Sequence, residues 1–421
     1  MRVLHLVHQY LPEHVGGTEL YTQAVAHALV DLDHQAGIFY RRSAGGVGLE
    51  QRVEDGVPVW AAWAGRVNPQ RRFLAIFGDA PVERAFERMV DEFRPDLVHV
   101  QHLMGLPVQV LHIIQRCRIP YVVTLHDYWW ICANAQLLTN FGQQICDGPL
   151  LWLNCGRCTL ARAGMGALWP AAPALAPLLA TRAYLQRRAL AQAERLIAPT
   201  LFVKEWYVTH GVSARQIEVL PHGIERSNLP ARPTRSTGPF RVACIGGLAW
   251  QKGVHVLIEA FGRLAGEAEL WVAGSEAFDP EYAQQLRAQA GPRVRFMGVL
   301  SREQVWACLA EVDALAVPSL WYEAFSLIVH EAFAAGIPVI ASRLGALAEV
   351  VHDGVDGLLV PPGDVALWSA ALQRLVDDPA LLDRLRNGVR PPMEMAQHVQ
   401  SLCDVYERML SGGGCSPGVQ S

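Results

Sequence analysis

Lysine is almost missing from this chain: Lys204 and Lys252 are its only lysines, and every other basic side chain among the 36 is arginine. Compositional drift accounts for most of that bias, but it singles out Lys252. A strong charge of either sign is missing too. The net charge of −4 over 421 residues gives no reason to expect nucleic acid as a partner. Charged residues make up only 18% and hydrophobic ones 51%, which excludes a disordered chain. No secretory leader is visible, since Arg2 runs straight into a strand pattern. An unbroken apolar run of membrane length is also lacking. The nearest, Ala163–Ala180, is interrupted by Pro170, Pro173 and Pro177, so it reads as a buried or membrane-surface segment rather than a span. The expectation is cytoplasmic residence, with peripheral contact at the inner face of the membrane, and mostly reduced cysteines.

What is present is an alternation of short apolar runs and helical stretches, long enough for two domains. In the N-terminal half, strands are predicted at Arg2–Tyr10, His34–Tyr40, Val57–Trp63, Asp96–His102, Tyr121–Leu125, Arg195–Pro199 and Ile217–Leu220. Helices are predicted from Gly16 to Asp31 and at Pro81–Phe93, Leu106–Cys117 and Arg182–Glu194, the last with Arg on one face. Residues 128–180 fit neither period. A polar, proline-rich linker is expected at 221–239. Six more strands follow at Phe240–Ile245, Glu269–Ala273, Val294–Met297, Ala314–Val317, Val339–Ser342 and Leu358–Val360. The fold class is therefore α/β: two doubly wound, Rossmann-like domains, 1–220 and 240–395, facing each other across a cleft. A last helix at 396–410 is expected to return toward the N-terminal domain, ahead of a disordered tail at 411–421.

Glu323 and Glu331 stand eight positions apart in a run of apolar residues that follows a buried strand. The first is placed at a helix N-terminus and the second about two turns into that helix, on the same face. Phosphate-bearing ligands bind at helix N-termini that open from a parallel sheet. Two flanking carboxylates can take hydroxyls from either end of a diphosphate, which fits a nucleotide-sugar; the plainer alternative is a solvated helix face. Lys252 follows strand Phe240–Ile245, where a cation can neutralise a leaving diphosphate. Gly16 and Gly17 would let the backbone approach phosphates. His126 ends strand Tyr121–Leu125 and points to the same edge of the sheet, with Asp127 placed to orient its ring. Cys132, Cys146, Cys155 and Cys158 lie in the irregular stretch, the last two as a C-x2-C pair. They point to a closed structural zinc site, with an iron–sulfur cluster or scattered buried thiols as alternatives.

The stretch from Phe240 to Asp364 resembles the donor domain of retaining glycosyltransferases of family 4, which have the GT-B fold. The resemblance rests on Gly246–Gly253, Glu323–Glu331, Ala335–Val339, Gly345–Glu349 and Asp353–Gly363. It is looser over Gly16–Glu19 and Thr124–Asp127, and thinnest over 45–80 and 142–181. It implies that Glu323 meets the transferred sugar, that Glu331 holds the nucleotide ribose, and that the amides of Phe325, Ser326 and Leu327 face the diphosphate. Ser326 stands where the family usually has Gly, and it keeps the N–H. It also implies that His126 lies near the transferred sugar. Gly247 departs from the pattern, because the family commonly carries an Arg there.

The function expected from these readings is transfer of a hexosyl group, with retention, from a UDP- or GDP-sugar to a glycan, lipid-linked or small-molecule acceptor. Such a step belongs to polysaccharide or glycolipid biosynthesis and needs no catalytic metal. The alternatives are an inactive GT-B scaffold that binds a partner, which Gly247 favours, and a nucleotide-sugar epimerase.

Overall fold

The computed structural model describes residues 1–226, 238–277 and 279–412. They form two compact units, 1–223 with 395–421, and 224–394. Residues 227–237 of the expected linker and all but the first two of the expected tail lie outside the described residues.

The first unit is built on an eight-stranded sheet: β1 (Arg2–Val7), β2 (Gln35–Arg41), β3 (Val47–Glu54), β4 (Val57–Ala64), β5 (Leu97–Val100), β6 (Tyr121–Thr124), β7 (Arg195–Ala198) and β8 (Ile217–Val219). The spatial order is β3-β4-β2-β1-β5-β6-β7-β8. Every neighbouring pair is parallel except β3 with β4. Central strands carry near-continuous apolar runs because helices cover both faces. That is why β1, β5 and β6 were legible in the sequence to within a few residues.

The antiparallel edge strand β3 was not expected. None of its residues is buried, and Glu50, Gln51, Arg52 and Glu54 put charge and polarity along it, as suits an edge that must not recruit another strand. Gly48 within it is a packing requirement, since a Cβ there would come within 2.2 Å of the Trp63 ring.

Two further differences concern helices. Segment 128–180 is less irregular than its composition suggested. It holds helix Leu153–Arg162, a 3-10 turn Gly166–Ala171, and the start of helix Ala172–Gln192. Pro173 sits in the first turn of that helix, where its missing N–H costs nothing, and alanines around Pro177 carry the helix onward. Along it Arg182 is buried while Arg187 and Arg188 are exposed, so the expected arginine face is not one face. Helices Pro69–Leu74 and Leu201–Thr209 were also missed. The C-terminal helix Met395–Gly412 belongs to this unit: its Tyr406 hydroxyl lies 2.7 Å from His99 Nδ1, and its His398 Nε2 lies 2.7 Å from the Tyr21 hydroxyl.

The second unit carries a six-stranded parallel sheet of β9 (Phe240–Ile245), β10 (Ala268–Ala273), β11 (Val294–Gly298), β12 (Ala314–Val317), β13 (Val339–Ser342) and β14 (Gly357–Val360). Its order is β11-β10-β9-β12-β13-β14. One face packs Val242, Leu257, Phe261, Leu270 and Trp368. The other packs Ala243, Leu309, Leu315, Val329 and Phe333. All six strands match the sequence expectation to within one residue at either end, because near-continuous apolar runs mark them even where Arg241, Glu269 and Arg295 interrupt.

Candidate active site

Each sheet reverses its strand order at one point, and the chemistry-bearing side chains gather at the carboxyl ends of the strands there. In the second unit the reversal lies between β9 and β12. After β9 the chain enters a 3-10 turn, Trp250–Lys252, and Gly253 then opens helix Val254–Gly262. Lys252 thus ends a turn rather than starting the helix. Gly253 has φ +69°, and a Cβ there would stand 2.0 Å from the carbonyl oxygen of Pro318, just past β12. The glycine lets the two loops pack against each other, which delivers Lys252 to the loop holding Glu323.

Lys252 Nζ donates to Glu323 Oε1 at 2.8 Å and lies 5.3 Å from the Trp321 ring centroid. The same oxygen accepts from Ser319 Oγ at 2.7 Å and Trp321 Nε1 at 3.0 Å. Oε2 takes none of these bonds. Burial pushes the Glu323 carboxyl up, but the Lys252 charge and the three hydrogen bonds outweigh it and hold the pKa below the ordinary value. The site therefore presents a buried, ionised carboxylate with one oxygen committed to the protein.

Glu331 is buried on helix Leu327–Ala334, about one turn in rather than two, because the helix starts only at Leu327 and Glu323 stays in the loop. The shared helical face expected for the pair is absent for the same reason. Arg302 Nη1 donates to Glu331 Oε1 at 2.6 Å. Ser326 is the helix N-cap, with extended backbone and no capping bond from its side chain, while its carbonyl accepts from the Val329 amide at 3.1 Å. The Phe325 ring stacks on His330 at 3.9 Å. Burial lowers His330 to about 4, so the ring is neutral, and it donates from Nδ1 to the Ser326 carbonyl at 2.9 Å. Gly247 lies half-buried in the loop after β9, between residues whose amides bond to Ala273 and Ser275.

In the first unit the strand order reverses between β1 and β5. His8 follows β1, Gln101 and His102 follow β5, and His126 and Asp127 follow β6. Asp127 does not orient His126. Its Oδ2 lies 3.1 Å from His102 Nε2, and its Oδ1 accepts from the Trp129 amide at 2.8 Å. His126 is held by Gln101 instead, donating from Nε2 to Oε1 at 2.7 Å, while Gln101 Nε2 donates to His5 Nδ1 at 3.1 Å. Burial lowers His126 to about 3, with the nearby His102 adding to the effect. The ring is neutral, with its proton on Nε2 and the lone pair of Nδ1 left as an acceptor. The aspartate pairs with the wrong histidine for the sequence argument because strand order, not chain order, decides which loops are neighbours.

Gly16 caps helix Gly17–Asp31 in an extended conformation. A Cβ on Gly16 would meet Glu19 Oε2 at 2.5 Å, because Glu19 folds back to the amides of Gly16 and of Glu19 itself. The Gly16 end of this loop therefore lies against a buried carboxylate. Burial raises the pKa of Glu19, and His8 Nε2 lies 3.8 Å from its Oε1.

Cys132, Cys146, Cys155 and Cys158 all line one cavity of about 830 Å³ in the first unit. Cys155 and Cys158 lie one turn apart on helix Leu153–Arg162. Burial first, and then the other cysteines, pushes the Cys155 thiol up to about 12. The Cys158 thiol is pushed up to about 11, again mainly by burial. Among the described residues, no group of three or more His, Cys, Asp or Glu side chains is arranged to hold a metal ion. The four thiols thus share one cavity wall.

Residues 15–228 match the family model described as Glycosyltransferase Family 4, and residues 239–378 match the one described as Glycosyl transferases group 1. The chain belongs to glycosyltransferase family 4. It is 30% identical to a D-inositol 3-phosphate glycosyltransferase of Mycolicibacterium smegmatis, over 69% of this chain and 68% of that one. It is 28% identical to a glycogen synthase of Mycobacterium tuberculosis, over 93% of this chain and 89% of the relative. Among solved structures, sucrose-phosphate synthase of Thermosynechococcus elongatus matches with a TM-score of 0.75 at 18% identity, covering 98% of this chain and 99% of that one. Anabaena HepE in complex with UDP-glucose matches with a TM-score of 0.68 at 18% identity, covering 97% and 99%. These structural matches establish the GT-B fold. Sequence reasoning overlooked Ser319, Trp321 and Arg302 around the two glutamates, and His8, Gln101 and His102 beside His126. The histidines and Gln101 each follow a buried strand, a position that could have drawn attention to them.

Proposed function

We propose that this glycosyltransferase moves a hexosyl group, with retention, from a UDP- or GDP-sugar to a glycan, lipid-linked or small-molecule acceptor. The observation that carries the reading is the Lys252–Glu323 pair at the strand reversal of the second sheet. In it a cation suited to a leaving diphosphate sits beside an ionised carboxylate whose Oε2 is available to a sugar hydroxyl. Glu331 is assigned to the ribose, the amides of Phe325, Ser326 and Leu327 around the helix start to the diphosphate, and His126 to the transferred sugar. Gly16, Gly17 and Gly247 are assigned to the loops that approach the donor phosphates. The partner of Glu323 is a lysine rather than a second carboxylate, which supports front-face departure of the diphosphate over the two-carboxylate route of retaining glycosidases. HepE's complex with UDP-glucose supports a uridine nucleotide as the first donor to try.

The four cysteines are proposed to take a structural zinc. Their convergence on one cavity wall supports this. So does Arg182, a buried guanidinium that lies within electrostatic reach of Cys132 and Cys155 and would offset part of the thiolate charge. Peripheral membrane contact is kept as part of the reading; no helix among the described residues is long and apolar enough to cross a membrane.

The test is turnover of a panel of nucleotide-sugars with and without acceptors, with the anomeric configuration of the product read by NMR. Transfer with retained configuration is expected. Binding without turnover would favour the inactive scaffold that Gly247 suggests, and conversion of the donor without acceptor would favour an epimerase.

A further inference from the structure

The 830 Å³ cavity of the first unit is not accounted for by donor chemistry. Its volume falls in the range of ligand pockets, roughly 300–1,000 Å³. Phe73, Ile76, Met104, Trp129, Leu138 and Leu178 give it mostly apolar walls. Set in those walls are Arg72 and Arg162. Burial lowers the Arg72 pKa first, and the charges of Arg162 and Arg41 lower it further. Arg41 is neutralised by Asp79 at 2.7 Å. Among the described residues neither Arg72 nor Arg162 pairs with a carboxylate, and Arg162 donates only to the neutral side chain of Asn134. Arg72 is half-buried and Arg162 exposed, so a phosphate at this wall would meet two guanidinium groups that no carboxylate neutralises.

The surroundings specify what carries the anion. Leu74 and Leu178 line the cavity and are also exposed to solvent. Leu150, Leu151, Leu168 and Trp169, on the chain around helix Leu153–Arg162, are more than half exposed. Large apolar side chains left exposed in this stretch of the chain suit an acceptor with an apolar part, and a small soluble sugar would not need them. At the other end the walls meet the histidine cluster: the Met104 amide donates to His102 Nδ1 at 3.1 Å, and the Trp129 ring lies 5.2 Å from the His102 ring.

We propose that this cavity binds the phosphate-bearing end of a lipid-linked acceptor, a long-chain alkyl or isoprenoid phosphate. Arg72 and Arg162 bridge the phosphate, and the chain runs along Phe73, Ile76 and Leu178 toward the exposed leucines. The proposal rests on the transferase reading above and names its acceptor class.

The test uses the full chain and decyl phosphate below its micelle concentration, with binding followed by calorimetry. Saturable binding is expected, at least tenfold tighter than that of decanol, inorganic phosphate or glucose 6-phosphate. Arg72→Gln and Arg162→Gln should each weaken it at least tenfold, while Arg72→Lys retains part of it. Thermal melts of the same variants separate loss of the site from loss of the fold. Equal affinity for decyl phosphate in wild type and both glutamine variants would overturn the proposal. So would glucose 6-phosphate binding as tightly as decyl phosphate, which would indicate a small soluble acceptor. Nucleoside diphosphate affinity of the wild-type protein is measured in parallel. If decyl phosphate binds as expected and the nucleotide does not, the transferase reading fails and the lipid site stands.

Discussion

Replacing Glu323 by glutamine removes one charge and almost no volume, so its effects on rate and on stability can be separated. The carboxylate holds Lys252, Ser319 and Trp321 on Oε1. A glutamine oxygen can accept from all three, and what is lost is the charge assistance to each bond. Hydrogen bonds to a charged group contribute roughly 1.5–3 kcal/mol and neutral ones roughly 0.5–1.5. Lys252 is 33% exposed, so water takes over much of what the ammonium loses. The net cost to folding should be about 1 kcal/mol. The cost to turnover should be larger, because a charge aimed at the reacting sugar acts most strongly in the transition state: about 100-fold, or ~2.7 kcal/mol. Steady-state kinetics at saturating donor and a chemical-denaturation curve on the same preparation give both numbers. Lys252→Ala should cost a similar factor in rate, and the double variant less than the product of the two, since the pair acts as a unit. A Glu323→Gln enzyme with near wild-type kcat refutes the assignment. A rate loss no greater than the loss of folded protein would leave Glu323 a structural residue only.

Glu331→Ala should weaken binding of the bare nucleoside diphosphate by about tenfold while changing kcat by less, because a ribose contact is remote from the reacting carbon; unchanged calorimetric affinity counts against it. Acid should destabilise the first unit. His5, His126 and His398 are lowered by burial to about 3, 3 and 4, from an ordinary value of 6.5. In that interval the unfolded chain binds more protons than the folded one. The stabilisation is therefore complete above pH 6.5 and is lost progressively as pH falls toward 3–4. The Tm should drop between pH 7.5 and 5, and a flat profile would contradict the burial argument. Protein purified without a histidine tag should carry about one zinc per chain by elemental analysis. Its removal should lower activity while nucleotide binding survives. Absence of zinc and iron, with all four thiols alkylated in the native state, would leave Cys132, Cys146, Cys155 and Cys158 as unligated thiols.

The sequence by itself determined every strand but β3, and its motifs pointed to the family. A strand covered on both faces carries a near-continuous apolar run, so β9, β12 and β13 could be read to the residue even with Arg241 inside β9. It also determined that Lys252, Glu323 and His126 stand on the carboxyl-end side of strands, in the segments that follow β9, β12 and β6. It did not determine who meets whom. Lys252 and Glu323 are 71 positions apart and meet because β9 and β12 are neighbours and Gly253 allows their loops to touch. Asp127 went to His102 rather than His126 because β5 and β6 lie side by side. Edge strand β3 and the first half of helix Ala172–Gln192 escaped notice because a mixed polar edge and a proline-bearing helix start carry weak local signals, and packing decides their conformation. The cavity with its two unpaired arginines exists only in three dimensions. Arg72 and Arg162 come from separate helices, and no spacing along the chain encodes a shared wall.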